Sequence, residues 1–248
     1  MRNIWTIAKR EYNHYFISPI AYVVAFIILI TIGIFFASLI GIYRQQALMG
    51  GAQAPDITPI NWLFVFLLVF TTPAITMRSL SDEARTGTLE LLLTAPIRDH
   101  ELVIGKWLGA FLFILSILAV TLIYPIIMNS LVTPGIDQQL MMSSYLGVIL
   151  AAAAFLALGV GISAIFTNQI AAFFSIFGLF FILWFMMGIF AQLVQGSGAE
   201  VFGYFNIASH FDAINSGNFN LRDLVYFLSL IALGLFTGTT AVEVRRWR

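Results

Sequence analysis

The sequence predicts an all-α membrane protein with six transmembrane helices, and three observations carry that reading. Of its 248 residues, 60% are hydrophobic and only 10% charged, whereas a soluble domain is about 25% charged and about 45–50% apolar. The charges are also segregated, leaving charge-free tracts at 12–43, 57–77, 107–136, 138–199 and 224–242. Those tracts are continuously apolar, which excludes a β-barrel built of ~10-residue segments of alternating polarity.

The elements follow in chain order. Residues 2–16 place Trp5, Ala8, Tyr12 and Tyr15 on one helical stripe, with Arg2, Thr6, Lys9 and Asn13 opposite. That is the pattern of a helix lying in the headgroup plane, so residues 1–17 are read as an interfacial helix. The apolar run behind it is too long for a signal-peptide core of about 7–15 residues, and no cleavage is expected.

A spanning helix needs ~20 mostly apolar residues. Four tracts hold one span each, and the tract 138–199 holds two, broken at Thr167-Asn168-Gln169. The spans are therefore placed at 20–43, 61–77, 107–131, 145–166, 171–193 and 224–242, with all 24 charged residues outside them. Short loops rich in Lys and Arg stay on the cytoplasmic side. With the N-terminus inside, ten of the twelve basic residues fall there, leaving only Arg44 and Arg222 outside. The expected location is the cytoplasmic membrane, with both termini cytoplasmic.

Residues 44–60 carry Gly-Gly and two prolines and predict a mobile external loop. Residues 132–144 are a short external link, and 167–170 a tight turn. No loop exceeds about 30 residues, too few for a separate soluble domain of about 50 or more. Any large energy-converting module must then be another polypeptide.

The cytoplasmic segment 78–106 holds nine charges. Ser79 and Asp82 have capping-box spacing, and Leu89, Leu92 and Leu93 form an apolar stripe. Gly87 should interrupt the helix, Pro96 should end it, and Asp99 should cap the helix leading into span three. Such a helix suits docking on a soluble partner; a solvated loop that merely obeys the charge rule fits the composition equally. The external segment 194–223 is too polar to span, yet carries Phe202, Tyr204, Phe205, Phe211 and Phe219. It reads either as short interfacial or re-entrant helices or as a partly buried cap.

Several functions are excluded. Equal numbers of basic and acidic residues argue against a nucleic-acid binder. Cysteine is absent, and His14, His100 and His210 have no ligand spacing, so neither thiolate chemistry nor a metal site is expected. There is no P-loop, hence no ATP bound by this chain. Gly159-Val160-Gly161 lies inside span four with no strand before it and is no dinucleotide site. Asp82, Glu83 and Glu90 could supply paired carboxylates, but nothing positions a substrate beside them, so no catalytic residue is assigned.

The spans lack the Asp, Glu, Lys or His that ion-coupled carriers place in the membrane. Their polar groups are mild: Thr71, Thr72, Ser116, Thr121, Asn129, Ser163, Ser175 and Gln192. Pro73 and Pro125 can kink spans two and three. Gly105/Gly109 and Gly234/Gly238 permit close helix contact. Trp184, in the Phe-rich span five, is expected to pack on lipid or a neighbouring helix.

The run EARTGTLELLLTAPIRDHELVIGKWLGA resembles the signature of type-2 ABC exporter permeases. That family carries E-x-x-x-G-T-L-E-L-L-L-[TS]-x-P-[IV] followed by E-x-[VI]-x-G-K-[WY], matched here by Glu83 to Ile97 and by Glu101 to Trp107. The stretch HFDAINSGNFNLRDLVYFLSL is most similar to the gliding-motility branch, which includes permeases of copper-enzyme maturation. The resemblance implies a permease that pairs with a second permease chain, as homodimer or heterodimer, recruits two ATP-binding-cassette ATPases and exports a substrate. ATP and magnesium would be held by the partner. It implies that 79–94 is a coupling helix, with Asp82, Glu83, Arg85, Gly87, Thr88, Leu89, Glu90, Leu92 and Leu93 meeting the ATPase. It also implies that 194–223 is a re-entrant external gate built on Phe202, Tyr204, Phe205, His210 and Phe211. The alternatives are a non-transporting anchor that passes ATPase motion to an external partner, and a channel or secondary carrier. Charge reversal at Glu83 or Glu90, or bulk at Gly87, is expected to uncouple transport.

Overall fold

A chain crossing lipid must satisfy its backbone polar groups internally, and a helix does so within one segment. The computed structural model describes residues 2–50, 55–87, 97–133, 135–194 and 196–246, and none of these residues is in a strand. Helix α1 (Arg2–Tyr15) leads into α2 (Pro19–Leu48), α3 (Thr58–Thr76) and the short α4 (Ser81–Thr86). Helix α5 (Asp99–Thr121) continues as α6 (Ile123–Leu131), and α7 (Gln138–Ile165) follows. Helix α8 (Gln169–Phe181) passes through a π-helical turn, Ile182–Met186, into α9 (Met187–Leu193). The chain closes with α10 (Ser197–Phe205), α11 (Ile207–Asn215) and α12 (Leu221–Arg246).

Six helical stretches are long and apolar enough to cross a membrane: Pro19–Leu48, Thr58–Thr86, Asp99–Leu131, Gln138–Ile165, Gln169–Leu193 and Leu221–Arg246. Their number agrees with the sequence. The break between the fourth and fifth falls at the polar run, where the Asn168 side chain accepts the amide of Ile170. The helices outrun the apolar tracts, because caps rather than hydropathy decide where a helix starts. Thus α7 begins at Gln138, where the Asp137 carboxylate accepts the amides of Gln139 and Leu140.

At the centre stands α7, buried on several sides and packed against α3, α5, α8, α11 and α12. Its Ala151 to Ala154 run lets neighbours approach closely, which matters in lipid, where helices associate through packing rather than water exclusion. The tightest seam is with α12: a Cβ added to Gly161 would stand 2.3 Å from the Gly234 carbonyl oxygen. Gly159 meets Thr76 of α3 just as closely. The Gly159-Val160-Gly161 run is therefore a packing seam.

Gly105 and Gly109 receive α1 rather than a spanning neighbour, with added Cβ atoms 2.7 Å from Ile7 and 2.6 Å from the Glu11 Cβ. The two helices run in the same direction: Asn3 donates to Glu101 at 3.0 Å, and Tyr15 stacks on Phe113 at 5.0 Å. The expected stripe holds at Ala8, Tyr12 and Tyr15, which pack inward, and departs at Trp5. Ile7 and Ala8 are buried while Trp5 is 57% exposed, because the glycines of α5 admit close backbone approach only on that side of α1. On α2, Tyr22, Val23, Phe26, Ile30 and Ile34 are exposed, a face suited to lipid.

The two special positions in the spans have local causes. Pro125 has no N–H to give the carbonyl of Thr121; the Tyr145 hydroxyl donates to that carbonyl instead, at 3.1 Å. The π turn holds Trp184 buried against Trp62, Phe155 and Phe211, at ring distances of 6.0, 6.2 and 6.4 Å.

Candidate functional site: a charged cluster at one end of the bundle

The site begins where α3 ends. The Ser163 hydroxyl of α7 accepts the amides of Leu80 and Ser81 at 3.2 and 3.3 Å and lies 3.3 Å from the Met77 carbonyl, to which it donates. One mild polar group in a span thus ties down the first turn of α4. The expected Ser79–Asp82 capping box is not formed: the residue before α4 is Leu80, without a side-chain cap. Ser81 donates to the Met77 carbonyl, while Asp82 accepts from the Gln169 amide and pairs with Arg85 at 3.0 Å. The spacing was right for a box, but partners on α7 and α8 compete for the same groups. Gly87 ends α4 in the left-handed region at φ 73°, the place where glycine avoids the Cβ penalty.

Glu83 turns inward from α4. Its carboxylate lies 2.8 Å from Lys106 Nζ, and the same ammonium lies 3.1 Å from Glu11 of α1. Lys106 itself is 2% exposed. Arg10 flanks the group, 3.2 Å from Glu11 and 3.9 Å from Glu83. One buried cation therefore joins α1, α4 and α5. Burial raises the Glu11 pKa, but the Lys106 and Arg10 charges outweigh it and hold the carboxyl below its ordinary value. Burial first, then the Glu11 charge, pushes the Tyr15 phenol up.

Because Glu11 is held below its ordinary value of 4.5, its contribution is complete above that pH and disappears as pH falls through the folded value. The unfolding temperature is expected to fall as the pH is lowered below 4.5. Glu11→Gln should flatten that slope; an unchanged slope in the variant would remove Glu11 from the account.

The end of α12 is tied down at the same end of the bundle. Asp99 was expected to cap α5, but it occupies the first helical position and pairs with Arg246 at 2.9 Å. The Glu101 carboxylate accepts the Arg98 amide instead, at 3.1 Å. Arg245 donates to the Ile165 carbonyl at 3.1 Å.

Asp82, Glu83, Arg85 and Gly87 thus share one short helix, with Arg85 62% exposed and Glu83 largely covered. Thr88, Leu89, Glu90, Leu92 and Leu93 lie outside the described residues, as does Pro96. Sequence reasoning missed Arg10, Glu11, Gln169 and the role of Lys106. The available signal was a lysine placed at the very start of the charge-free tract 107–136.

At the opposite end, α10 and α11 form the segment before α12. His210 and Phe211 are buried, Phe205 is half exposed, Tyr204 lies near the surface and Phe202 packs on Phe190 at 5.6 Å. The His210 ring lies 2.6 Å from Asp223 and 2.9 Å from the Tyr204 carbonyl, stacked on Tyr226 at 4.0 Å. The Tyr226 hydroxyl donates to the Phe205 carbonyl at 3.0 Å. His210 and Phe211 therefore act as pins, and Asp223 and Tyr226 are partners the sequence did not single out. Among the described residues, no group of His, Asp and Glu is arranged to hold a metal.

Six apolar membrane-length helices, with the Lys106 cluster at one end and the His210–Asp223 pair at the other, define a multi-pass membrane protein. The chain belongs to the ABC-2 family of transporter proteins, which matches residues 5–242. It is an ABC transporter permease of a family that lacks an ATPase domain and works with ABC ATPase subunits. No curated protein matches the chain.

Proposed function

We propose that this permease exports a substrate from the cell, energised by ATP hydrolysed on two separate ATPase subunits, and that it pairs with a second permease chain. In this reading the charged end is cytoplasmic, with both termini there, and no cofactor is bound by this chain. Helix α4 with the segment running to residue 94 is the coupling helix, and α10–α11 form the external re-entrant gate. The gliding-motility branch remains part of the proposal.

The observation that carries the reading is the attachment of α4. It presents Asp82 and Arg85 outward while Glu83, Ser81 and Leu80 bind Lys106 and Ser163 of the long helices. A displacement of α4 by a docked ATPase must then move α5, α7 and α1. The charge-free tracts of the spans supply no ionisable group for a coupling ion, the buried Lys106 and Asp223 standing towards the helix ends, which favours an external energy source.

The test is co-purification with its ABC ATPase subunit. Arg85→Glu is expected to lower ATPase retention about tenfold through one reversed surface charge, without altering thermal unfolding. A Cβ at Gly87 would meet none of the described residues within 4 Å, whereas its φ of 73° strains any L side chain. Gly87→Ala and Gly87→Val should therefore impair coupling alike, through the positive φ. Substrate movement by the chain with no ATPase present would overturn the proposal.

A further inference from the structure

Beside the charged cluster lies a cavity of about 650 Å³, within the ~300–1,000 Å³ of small-molecule sites. It opens between α1, the start of α2, the end of α3 and α4, and its walls are segregated. Ile20, Ala21, Ala74 and Ile75 form an apolar side, and Ile17, 78% exposed, stands on the rim. The polar side holds Arg10, His14, Arg78 and the acids Glu11, Asp82 and Glu83.

The lining alone balances three cations, Arg10, Arg78 and Lys106, against three acids, but with Arg85, which reaches Asp82 from outside the lining, the charges do not cancel. Glu11 and Glu83 are matched by Lys106 and Arg10, and Asp82 is matched by Arg85 and the Gln169 amide. Arg78 is left over: its side chain has no hydrogen bond or ion pair to the described residues, and neither has that of His14. The group therefore carries one positive charge in excess, placed beside an apolar wall at the level where α2 and α3 meet the end of the bundle. A phosphodiester carries one negative charge, and a guanidinium binds it by paired charge-assisted hydrogen bonds. From the segregated walls and the single surplus cation, we infer that this cavity seats the phosphodiester of an anionic glycerophospholipid. The phosphate meets Arg78, with His14 beside it, and the acyl chains leave along Ile20 and Ile75. Free phosphate shares the anionic chemistry but makes no use of the apolar wall.

The experiment is lipid retention by the full chain, purified from nanodiscs of phosphatidylglycerol mixed with phosphatidylcholine and read by native mass spectrometry. The wild type is expected to retain phosphatidylglycerol in preference to phosphatidylcholine. Arg78→Gln should reduce that retention roughly tenfold, and Arg78→Lys should restore only part of it. Because Arg78 is exposed, the variants fold; an unchanged unfolding temperature checks this. Ala21→Trp, which fills the apolar side, should abolish retention while leaving binding of inorganic phosphate unaffected. Retention equal in wild type and Arg78→Gln would overturn the inference. So would equal retention of the two lipids, or binding of inorganic phosphate with no lipid retained.

Discussion

Lys106→Met is expected to destabilise the chain by about 3–5 kcal/mol, the usual result of removing one partner from a buried ion pair. At roughly 2–4 °C per kcal/mol for a chain of this size, the unfolding temperature in detergent should fall by about 10 °C or more. The cause is what remains. Glu11 and Glu83 would face each other with Arg10, itself 57% exposed, as the basic side chain that remains within 4 Å of both among the described residues. Removing all three charges, as Glu11→Gln with Glu83→Gln and Lys106→Met, should return most of the stability, since a neutral set of similar volume carries no desolvation cost. If single and triple variants unfold alike, the ammonium does not organise the cluster. Coupling gives the second readout: the triple variant regains stability but should not regain stimulation of the ATPase, because α4 is no longer held to α5 and α1 by charge. A triple variant with full stimulation would leave Ser163 and Gln169 as the connection from α4 to the bundle.

That cluster shows where sequence reasoning reaches and where it stops. The six long helices were legible because burying a charge-free tract needs no knowledge of its neighbours; length and hydropathy suffice. The break at Asn168 and the glycine ending α4 were legible for the same reason, since a cap or a positive φ is a local matter. Lys106 was visible only as a motif residue. Its partners lie at positions 11 and 83, and no periodicity joins three elements so far apart in the chain. Ser79 with Asp82, and Asp99 as a cap, failed for a related reason: the local pattern was present, but Ser163, Gln169 and Arg246 offered better partners in space. His210 was legible only as a member of the external segment; its partner Asp223, thirteen residues on, was not, because the turn between α11 and α12 folds one onto the other. On α1 the stripe held at Ala8, Tyr12 and Tyr15 but included Trp5 and left out Ile7, because amphipathicity ranks faces by polarity, whereas the glycines of α5 select the face by fit.

Fit also sets the second large effect, expected at Gly234. A Cβ there would lie 2.4 Å from the carbonyl carbon of Ala157 and 2.5 Å from both the Ala157 oxygen and the Leu158 nitrogen. Those are backbone atoms in the centre of α7, and they cannot rotate aside as a side chain can. Gly234→Ala is therefore expected to force α12 away from α7 and to destabilise by about 1–3 kcal/mol, and Gly234→Leu by more. Gly161→Ala should cost a similar amount, because its Cβ meets the Gly234 carbonyl. The double variant should fall short of the sum, since one separation of the helices relieves both clashes. Gly238→Ala should be milder, as its nearest neighbour is a Val103 methyl at 2.9 Å. Gly178 supplies the control: it is helical, and none of the described residues stands within 4 Å of an added Cβ. There alanine should be neutral or stabilising by about 0.5–1 kcal/mol through helix propensity alone. Thermal unfolding of the four variants in one detergent gives the order directly. Equal losses at Gly178 and Gly234 would mean that helix propensity, not the α7–α12 contact, governs these glycines. The expected order instead makes that contact the rigid axis of the bundle, against which α4 and the Lys106 cluster can move only together.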